Sequence, residues 1–178
     1  MKSMKIALIG MTGAGKTTVG KILAGKLGCR FLDTDELITA TMKKTPAEIF
    51  AGDGEAAFRD IESETLERAL TSDTIDTIDA GSGTVLSCGG GIVLREDNRR
   101  LLRQCAVVVW IMRPLADILR KSPEVLARPP INNDPENYAK HFKARESLYA
   151  QTCHFEIDSS DAEAAADEII CRLNRRRL

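Results

Sequence analysis

Gly10-Met11-Thr12-Gly13-Ala14-Gly15-Lys16-Thr17 stands between a short apolar run, Ile6 to Ile9, and a stretch with helical periodicity. Every fixed position of G-x-x-x-x-G-K-[ST] is filled, in the order strand, glycine loop, helix that gives the motif its meaning. The glycines let the backbone turn tightly enough for its N–H groups to face a phosphate, and the following helix N-terminus adds a partial positive charge. Lys16 then reaches the β- and γ-phosphates and Thr17 holds Mg²⁺. A chance glycine-rich helix cap is the competing reading. It accounts neither for the strand before the loop nor for Val19, Ile22, Leu23, Ala24 and Leu27, which share one helical face before Gly28 supplies a stop.

With 178 residues, 43% of them hydrophobic, the chain has material for one sizeable core and too little for two ordinary domains. A net charge of −1 argues against nucleic acid or an anionic membrane as partner, since phosphate-rich surfaces call for a basic excess. The expected ligand is small. No stretch approaches the ~20 apolar residues of a membrane span, and Ile6 to Ile9 is too short for a secretory signal core, so a cytoplasmic protein is expected. Cys29, Cys88, Cys105, Cys153 and Cys171 show no C-x-x-C spacing and read as reduced, largely buried small hydrophobes. His141 and His154 lack a ligand cluster and read as ordinary helix or loop residues.

Strand-like runs at Lys5 to Ile9, Cys29 to Leu32, Val85 to Cys88, Ala106 to Met112 and Phe155 to Ile157 alternate with helix-length segments. That alternation predicts an α/β fold, one domain with a parallel sheet covered by helices on both faces. Thr45-Pro46 opens a short helix to Phe50, Gly52-Asp53-Gly54 breaks it, and a long helix runs on to about Leu70. Further helices are expected at Glu96 to Gln104, Pro114 to Lys121, Asn137 to Thr152 and Asp161 to Leu173. The polar connection between Thr71 and Gly83 is long for a compact domain. The proline-rich stretch from Ser122 to Pro135 has the length of a lid or binding segment.

Ligands of open α/β sheets bind beyond the carboxyl ends of the strands. Asp33 and Asp35 follow the second strand, so one carboxylate can face metal and phosphates while the other approaches an acceptor hydroxyl. The simpler alternative is that Asp35 only caps the next helix. Arg59 and Glu62, three apart on the long helix, can pair, as many solvated surface residues do.

Gly54-Glu55-x-x-Phe58-Arg59-x-x-Glu62, downstream of Asp33-Thr34-Asp35 and upstream of Gly89-Gly90-Gly91, resembles the shikimate kinase family. The resemblance runs from Lys5 to about Ile157 and takes in Arg128-Pro129 and Arg145-x-x-Leu148-Tyr149. It implies a P-loop domain with a five-stranded parallel sheet and a mobile lid, with a phosphate loop at 10–17, an acceptor-binding region at about 34–62 and the lid at about 121–134. It implies transfer of the ATP γ-phosphoryl group to the 3-hydroxyl of shikimate. Asp35 would bind the ring hydroxyls and act as base, and Asp33 would hold Mg²⁺ through water, with Thr17. Arg59 and Arg145 would clamp the shikimate carboxylate, Glu62 would support Arg59, and Gly89, Gly90 and Gly91 would give backbone contacts. Gly13, Ala14, Gly15, Lys16, Thr17 and Thr18 would bind ATP, with Lys121 beside the adenine, and Lys16 and Arg128 would grip the moving phosphate. Substrates ATP and shikimate, Mg²⁺ and a monomer complete the expectation, with no nucleic-acid or membrane partner.

Guanidinium forks suit a planar carboxylate, which agrees with arginine rather than lysine at positions 59 and 145. Some features depart from the family pattern: the lid lacks glycines before Arg128, Lys121 stands where an arginine is usual, and the 71–83 connection is longer. Two alternatives stand beside this reading: another small-molecule kinase of the same fold, of the gluconate type, or a nucleotide-binding regulator without catalysis. The absence of an Asn-Lys-x-Asp segment speaks against a GTPase, and the presence of Asp35 and Arg128 speaks against a silent relative.

Overall fold

Five parallel strands form one sheet in the order β2-β3-β1-β4-β5: β1 (Met4–Ile9), β2 (Arg30–Asp33), β3 (Gly83–Ser87), β4 (Val107–Met112) and β5 (Phe155–Asp158). The computed structural model describes residues 4–71, 83–121 and 134–176. The connection after Thr71 and the stretch with Arg128, where a lid is expected, therefore lie outside the described residues.

β1 takes the middle of the sheet because Ile6, Ala7, Leu8 and Ile9 form an unbroken apolar run, and all four are fully buried. Its neighbours are β3 on one side and β4 on the other. The chain order diverges there, and in sheets of this kind ligands bind at such a switch point. The phosphate loop leaves β1 at that place. The ends of β2, β3, β4 and β5 bring Asp33, Gly89, Arg113 and Ser159 to the same edge of the sheet.

Helices follow the strands as the alternating pattern predicts: α1 (Lys16–Leu27), α2 (Thr34–Met42), α3 (Pro46–Thr71), α4 (Glu96–Cys105), α5 (Leu115–Lys121), α6 (Pro135–Thr152) and α7 (Ala162–Arg176). α1 packs on α7 and on β3, with Val19, Leu23 and Ala24 of α1 and Ala165, Ile169 and Leu173 of α7 buried in the core, while α4 and α6 pack together and on β4. No helix among the described residues is long and apolar enough to cross a membrane.

The structure differs from the expected pattern at three places. The break at Gly52-Asp53-Gly54 narrows to Gly54 alone, whose φ of 85° and ψ of 171° kink one helix that otherwise runs from Pro46 to Thr71. Only glycine takes that backbone conformation cheaply, so a single residue suffices to redirect the helix. Thr45 and Glu48 close its start as a reciprocal capping box: Thr45 N–H donates to Glu48 Oε2 (2.6 Å) and Glu48 N–H donates to Thr45 Oγ1 (3.3 Å). α6 begins at Pro135 rather than Asn137, because Asp134 accepts the Glu136 N–H (2.9 Å) and proline is tolerated at the first helical position. The cysteines are all free, but only Cys88 is buried; Cys171 is exposed and the other three are half-buried, since their helices and loops leave one side open.

Candidate active site

Two cavities meet at the carboxyl edge of the sheet. One, about 300 Å³, is lined by Thr12, Gly13 and Gly15 to Thr18 of the phosphate loop together with Asp33, Ser87, Cys88 and Arg113. The other, about 440 Å³, is lined by Thr45 to Ala47, Phe50, Phe58, Arg59, Glu62, Gly91, His141 and Arg145. Thr12, Asp35, Gly89 and Gly90 belong to both.

In the phosphate cavity, Gly15 adopts a left-handed conformation (φ 95°) immediately before α1, and Lys16 bends back so that Nζ donates to Gly10 O (2.9 Å) and Met11 O (2.8 Å). Thr17 Oγ1 donates to Asp33 Oδ2 (2.9 Å), and Ser87 Oγ stands 3.4 Å from the same hydroxyl. Asp33 Oδ1 accepts the Asp35 N–H (3.0 Å). The N-cap of α2 is thus Asp33, not Asp35: the residue at the strand end is extended and its carboxylate reaches the N–H two residues on. Capping does not account for the carboxylate of Asp35, which borders both cavities.

The hydroxyl and carboxylate of Thr17 and Asp33 form a hard oxygen pair of the kind Mg²⁺ prefers. A Mg²⁺ that keeps several waters and shares phosphate oxygens needs no larger protein cage. Among the described residues no group of three or more His, Cys, Asp or Glu side chains stands together as a separate metal site.

The larger cavity is built around a buried ion pair. Arg59 Nη1 donates to Glu62 Oε2 (2.7 Å), with side chains only 9% and 2% exposed. This pair is therefore not the solvated surface bridge that the spacing alone permits. Glu55 holds the outer edge of the guanidinium (3.3 Å), and the rings of Phe58 and Phe50 lie 5.1 and 5.8 Å from its Cζ. Burial pushes the Glu62 carboxyl above its ordinary range, and the charge of Arg59 opposes that shift.

The Gly89-Gly90-Gly91 turn carries a geometric requirement that its sequence does not announce. A Cβ on Gly91 would overlap the Arg59 guanidinium, and one on Gly89 would stand 2.7 Å from Glu62 Oε1. The glycines first make room for the ion pair and, through it, set the floor of the cavity.

Helix α6 ties the two cavities together. Tyr138 OH donates to Thr12 O in the phosphate loop (2.6 Å), and Tyr149 OH donates to Gly90 O in the glycine turn. Both phenols are held protonated, first by burial. Arg145 lies one helical turn before Tyr149 and is 7% exposed at the wall of the larger cavity.

The structure thus brings together Gly13, Gly15, Lys16, Thr17, Thr18 and Asp33 around one cavity, and Arg59, Glu62, Gly91 and Arg145 around the other, with Asp35, Gly89 and Gly90 between them. Ala14 is buried in the loop beneath the first group. Lys121 ends α5, and Arg128 is outside the described residues. Sequence reasoning missed His141 and Arg113 as cavity residues. His141 stands one turn before Arg145, a spacing that would have placed it on the same face; burial and the neighbouring Arg145 hold its imidazole below its ordinary range. His154 is structural: Nδ1 accepts the Val108 N–H (2.9 Å) at the edge where β5 joins β4.

The profile of the shikimate kinase family (SKI: Shikimate kinase) matches residues 12–174. The shikimate kinase of Symbiobacterium thermophilum is 37% identical over 179 residues, covering 97% of this chain and 98% of that one. The shikimate kinase of Cereibacter sphaeroides is 42% identical over 151 residues, covering 82% and 70%. Among solved structures, shikimate kinase from Acinetobacter baumannii in complex with shikimate superposes with a TM-score of 0.88 at 30% identity, covering 99% of this chain and 96% of that one. A gluconokinase from Sinorhizobium meliloti shares the fold, with a TM-score of 0.58 at 14% identity over 98% of each chain. With the motif order, the two joined cavities and these relatives in agreement, the chain belongs to the shikimate kinase family.

Proposed function

We propose that the protein transfers the γ-phosphoryl group of ATP to the 3-hydroxyl of shikimate, giving shikimate 3-phosphate and ADP, a step of chorismate and aromatic amino-acid biosynthesis. The observation that carries this reading is the shared wall: Asp35 borders both the phosphate cradle and a cavity framed by two buried arginines. A phosphoryl transfer needs a donor and an acceptor hydroxyl in line, with a base at the hydroxyl.

In this reading the backbone of Gly13, Ala14 and Gly15, with Lys16, Thr17 and Thr18, holds the nucleotide. Thr17 and Asp33 hold Mg²⁺, the latter through water. Bound there, Mg²⁺ would neutralise charge on the phosphates. Arg59 and Arg145 take the acceptor carboxylate, whose charge is balanced in a site where Glu62 already offsets one guanidinium. Gly89, Gly90 and Gly91 offer backbone groups to the ring, and Asp35 orients the hydroxyl and removes its proton. Residues 121–134 close over the site, Lys121 flanking the adenine and Arg128 meeting the transferring phosphate. The protein works on these small molecules as a monomer.

A carboxylate acceptor is favoured over a neutral one because two buried guanidiniums, Arg59 and Arg145, stand at the cavity wall and their forks match a planar carboxylate. A panel of shikimate, gluconate and a nucleoside monophosphate, each at equal concentration with Mg²⁺ and ATP, tests the choice. Shikimate is expected to exceed the others in kcat/KM by at least about 100-fold, the discrimination given by an acid group and hydroxyls fitted to buried partners. Preference for gluconate or the nucleotide would reassign the acceptor and leave the kinase reading in place.

A further inference from the structure

Arg113 follows β4 directly and enters the phosphate cavity from the side opposite Asp33. Its guanidinium lies against the phosphate loop: a Cβ placed on Gly15 would stand 3.5 Å from Nη2 and 3.6 Å from Nη1. Nη2 donates to Ser159 O, just past β5. Ser159 itself is fully buried, and its Oγ lies within hydrogen-bond distance of Ala14 O (2.5 Å) and Met112 O (2.9 Å), between which its one proton is shared. The guanidinium is therefore held between the ends of two strands and the loop that wraps the phosphates.

That hydrogen bond leaves much of the group's capacity unused. Nε is buried without a partner, and among the described residues no carboxylate lies within ion-pair distance of Arg113. Asp158, the acidic residue at the end of β5, accepts the Ser160 N–H at Oδ1 (2.7 Å), and hydrogen bonds from Ser160 ahead of the charge of Arg113 hold its carboxyl low. Most other arginines in this chain with a described partner either meet an acid, as Arg59, Arg95 and Arg120 do, or saturate backbone carbonyls, as Arg99 and Arg103 do. A half-buried guanidinium with idle donors is costly beside neutral groups and favourable beside a phosphate, which it matches in geometry and charge.

We propose that Arg113 is a further nucleotide-binding residue, its guanidinium contacting a phosphate of the nucleotide seated in the 10–17 loop. The inference rests on the nucleotide reading of that loop and adds a cation to those expected at the phosphates. Lys16 approaches from within the loop, whereas Arg113 approaches from the β4 and β5 edge. Because its charge stands on the nucleotide side and it does not line the acceptor cavity, it should affect donor binding and leave the acceptor untouched.

Calorimetric titration of the full chain with ADP, with inorganic tripolyphosphate and with shikimate tests this on wild type, Arg113→Gln and Arg113→Lys. Glutamine retains a donor for Ser159 O while removing the charge, so a purely structural tie would leave ADP affinity at the wild-type value. The expected result is ADP binding weakened about 10- to 30-fold in Arg113→Gln, with tripolyphosphate weakened in parallel and shikimate changed less than about twofold. Arg113→Lys should fall between, about threefold weaker than wild type, because it keeps charge and loses the fork. ADP affinity within about twofold of wild type in Arg113→Gln would overturn the proposal. So would weaker ADP binding with unchanged tripolyphosphate binding, which would assign the contact to the nucleoside. Should Arg113→Gln not fold, wild-type ADP affinity in Arg113→Lys would overturn it equally. Failure of the wild type to bind ADP would instead remove the nucleotide reading itself.

Discussion

Asp35→Asn is expected to lower kcat by about 10²- to 10⁴-fold, the range by which a positioned base accelerates proton transfer. The substitution keeps the size of the side chain and leaves the Asp35 N–H on Asp33 Oδ1, so the start of α2 is undisturbed. Binding of ADP and of shikimate should each change less than about fivefold, because the amide can still hydrogen-bond a hydroxyl. Steady-state kinetics with shikimate, joined to ADP titration, check both parts. Near-normal turnover would remove Asp35 as the base and send the search to another group on the shared wall of the two cavities.

The second large effect belongs to the buried ion pair. Arg59→Ala strips a 2%-exposed Glu62 of its 2.7 Å partner. Leaving such a charge uncompensated costs about 3–5 kcal/mol, so a large fall in melting temperature is expected. Glu62 already has its carboxyl raised by burial; without Arg59 it should be protonated at still higher pH, and the loss of stability should ease as the pH is lowered. The sign follows because the folded-state pKa lies above the unfolded value: stability from this group is greatest below the unfolded pKa and falls as pH rises through the folded one. The double variant Arg59→Met with Glu62→Leu should recover much of the stability, since an apolar pair of similar size replaces two desolvated charges. Neither variant should bind shikimate well, with KM rising about 100-fold through loss of a charge-assisted fork. Thermal melts at two pH values and shikimate kinetics separate the two roles. A double variant as unstable as Arg59→Ala would mean that packing, not charge, is what Arg59 supplies.

The fold was legible because its determinants are local. β1 is a buried strand that reads as a continuous apolar run, and Gly10 to Thr17 carries its own geometry wherever it occurs between strand and helix. Asp33, Asp35, Arg59 and Glu62 were legible for a related reason, since position after a strand and spacing along a helix are properties of the chain itself. What could not be read depends on packing between distant segments. Nothing in Gly89-Gly90-Gly91 says that the missing side chains make space for Arg59 and Glu62, which arrive from some thirty residues earlier. Tyr138 and Tyr149 look like ordinary helix residues until their hydroxyls are found on Thr12 and Gly90. Arg113 is hidden in the same way, since its position against Gly15 requires β1, β4 and β5 to lie side by side. The cap of α2 illustrates a finer limit: Asp33 and Asp35 are both capping residues by type, and only the backbone path decides which of them does it.

On the proposed function, the cavity beside the phosphate cradle holds the acceptor of the transferred group, and that acceptor is shikimate. A coupled assay of ADP release with ATP and Mg²⁺, run with and without shikimate, tests it most directly. ADP release should rise at least about 100-fold on adding shikimate, with one shikimate phosphorylated per ADP formed, because catalysis waits on a hydroxyl oriented beside the γ-phosphate. An ADP rate indifferent to shikimate, or one that rises without phosphorylated shikimate appearing, would mean that the cavity does not present shikimate to the γ-phosphate.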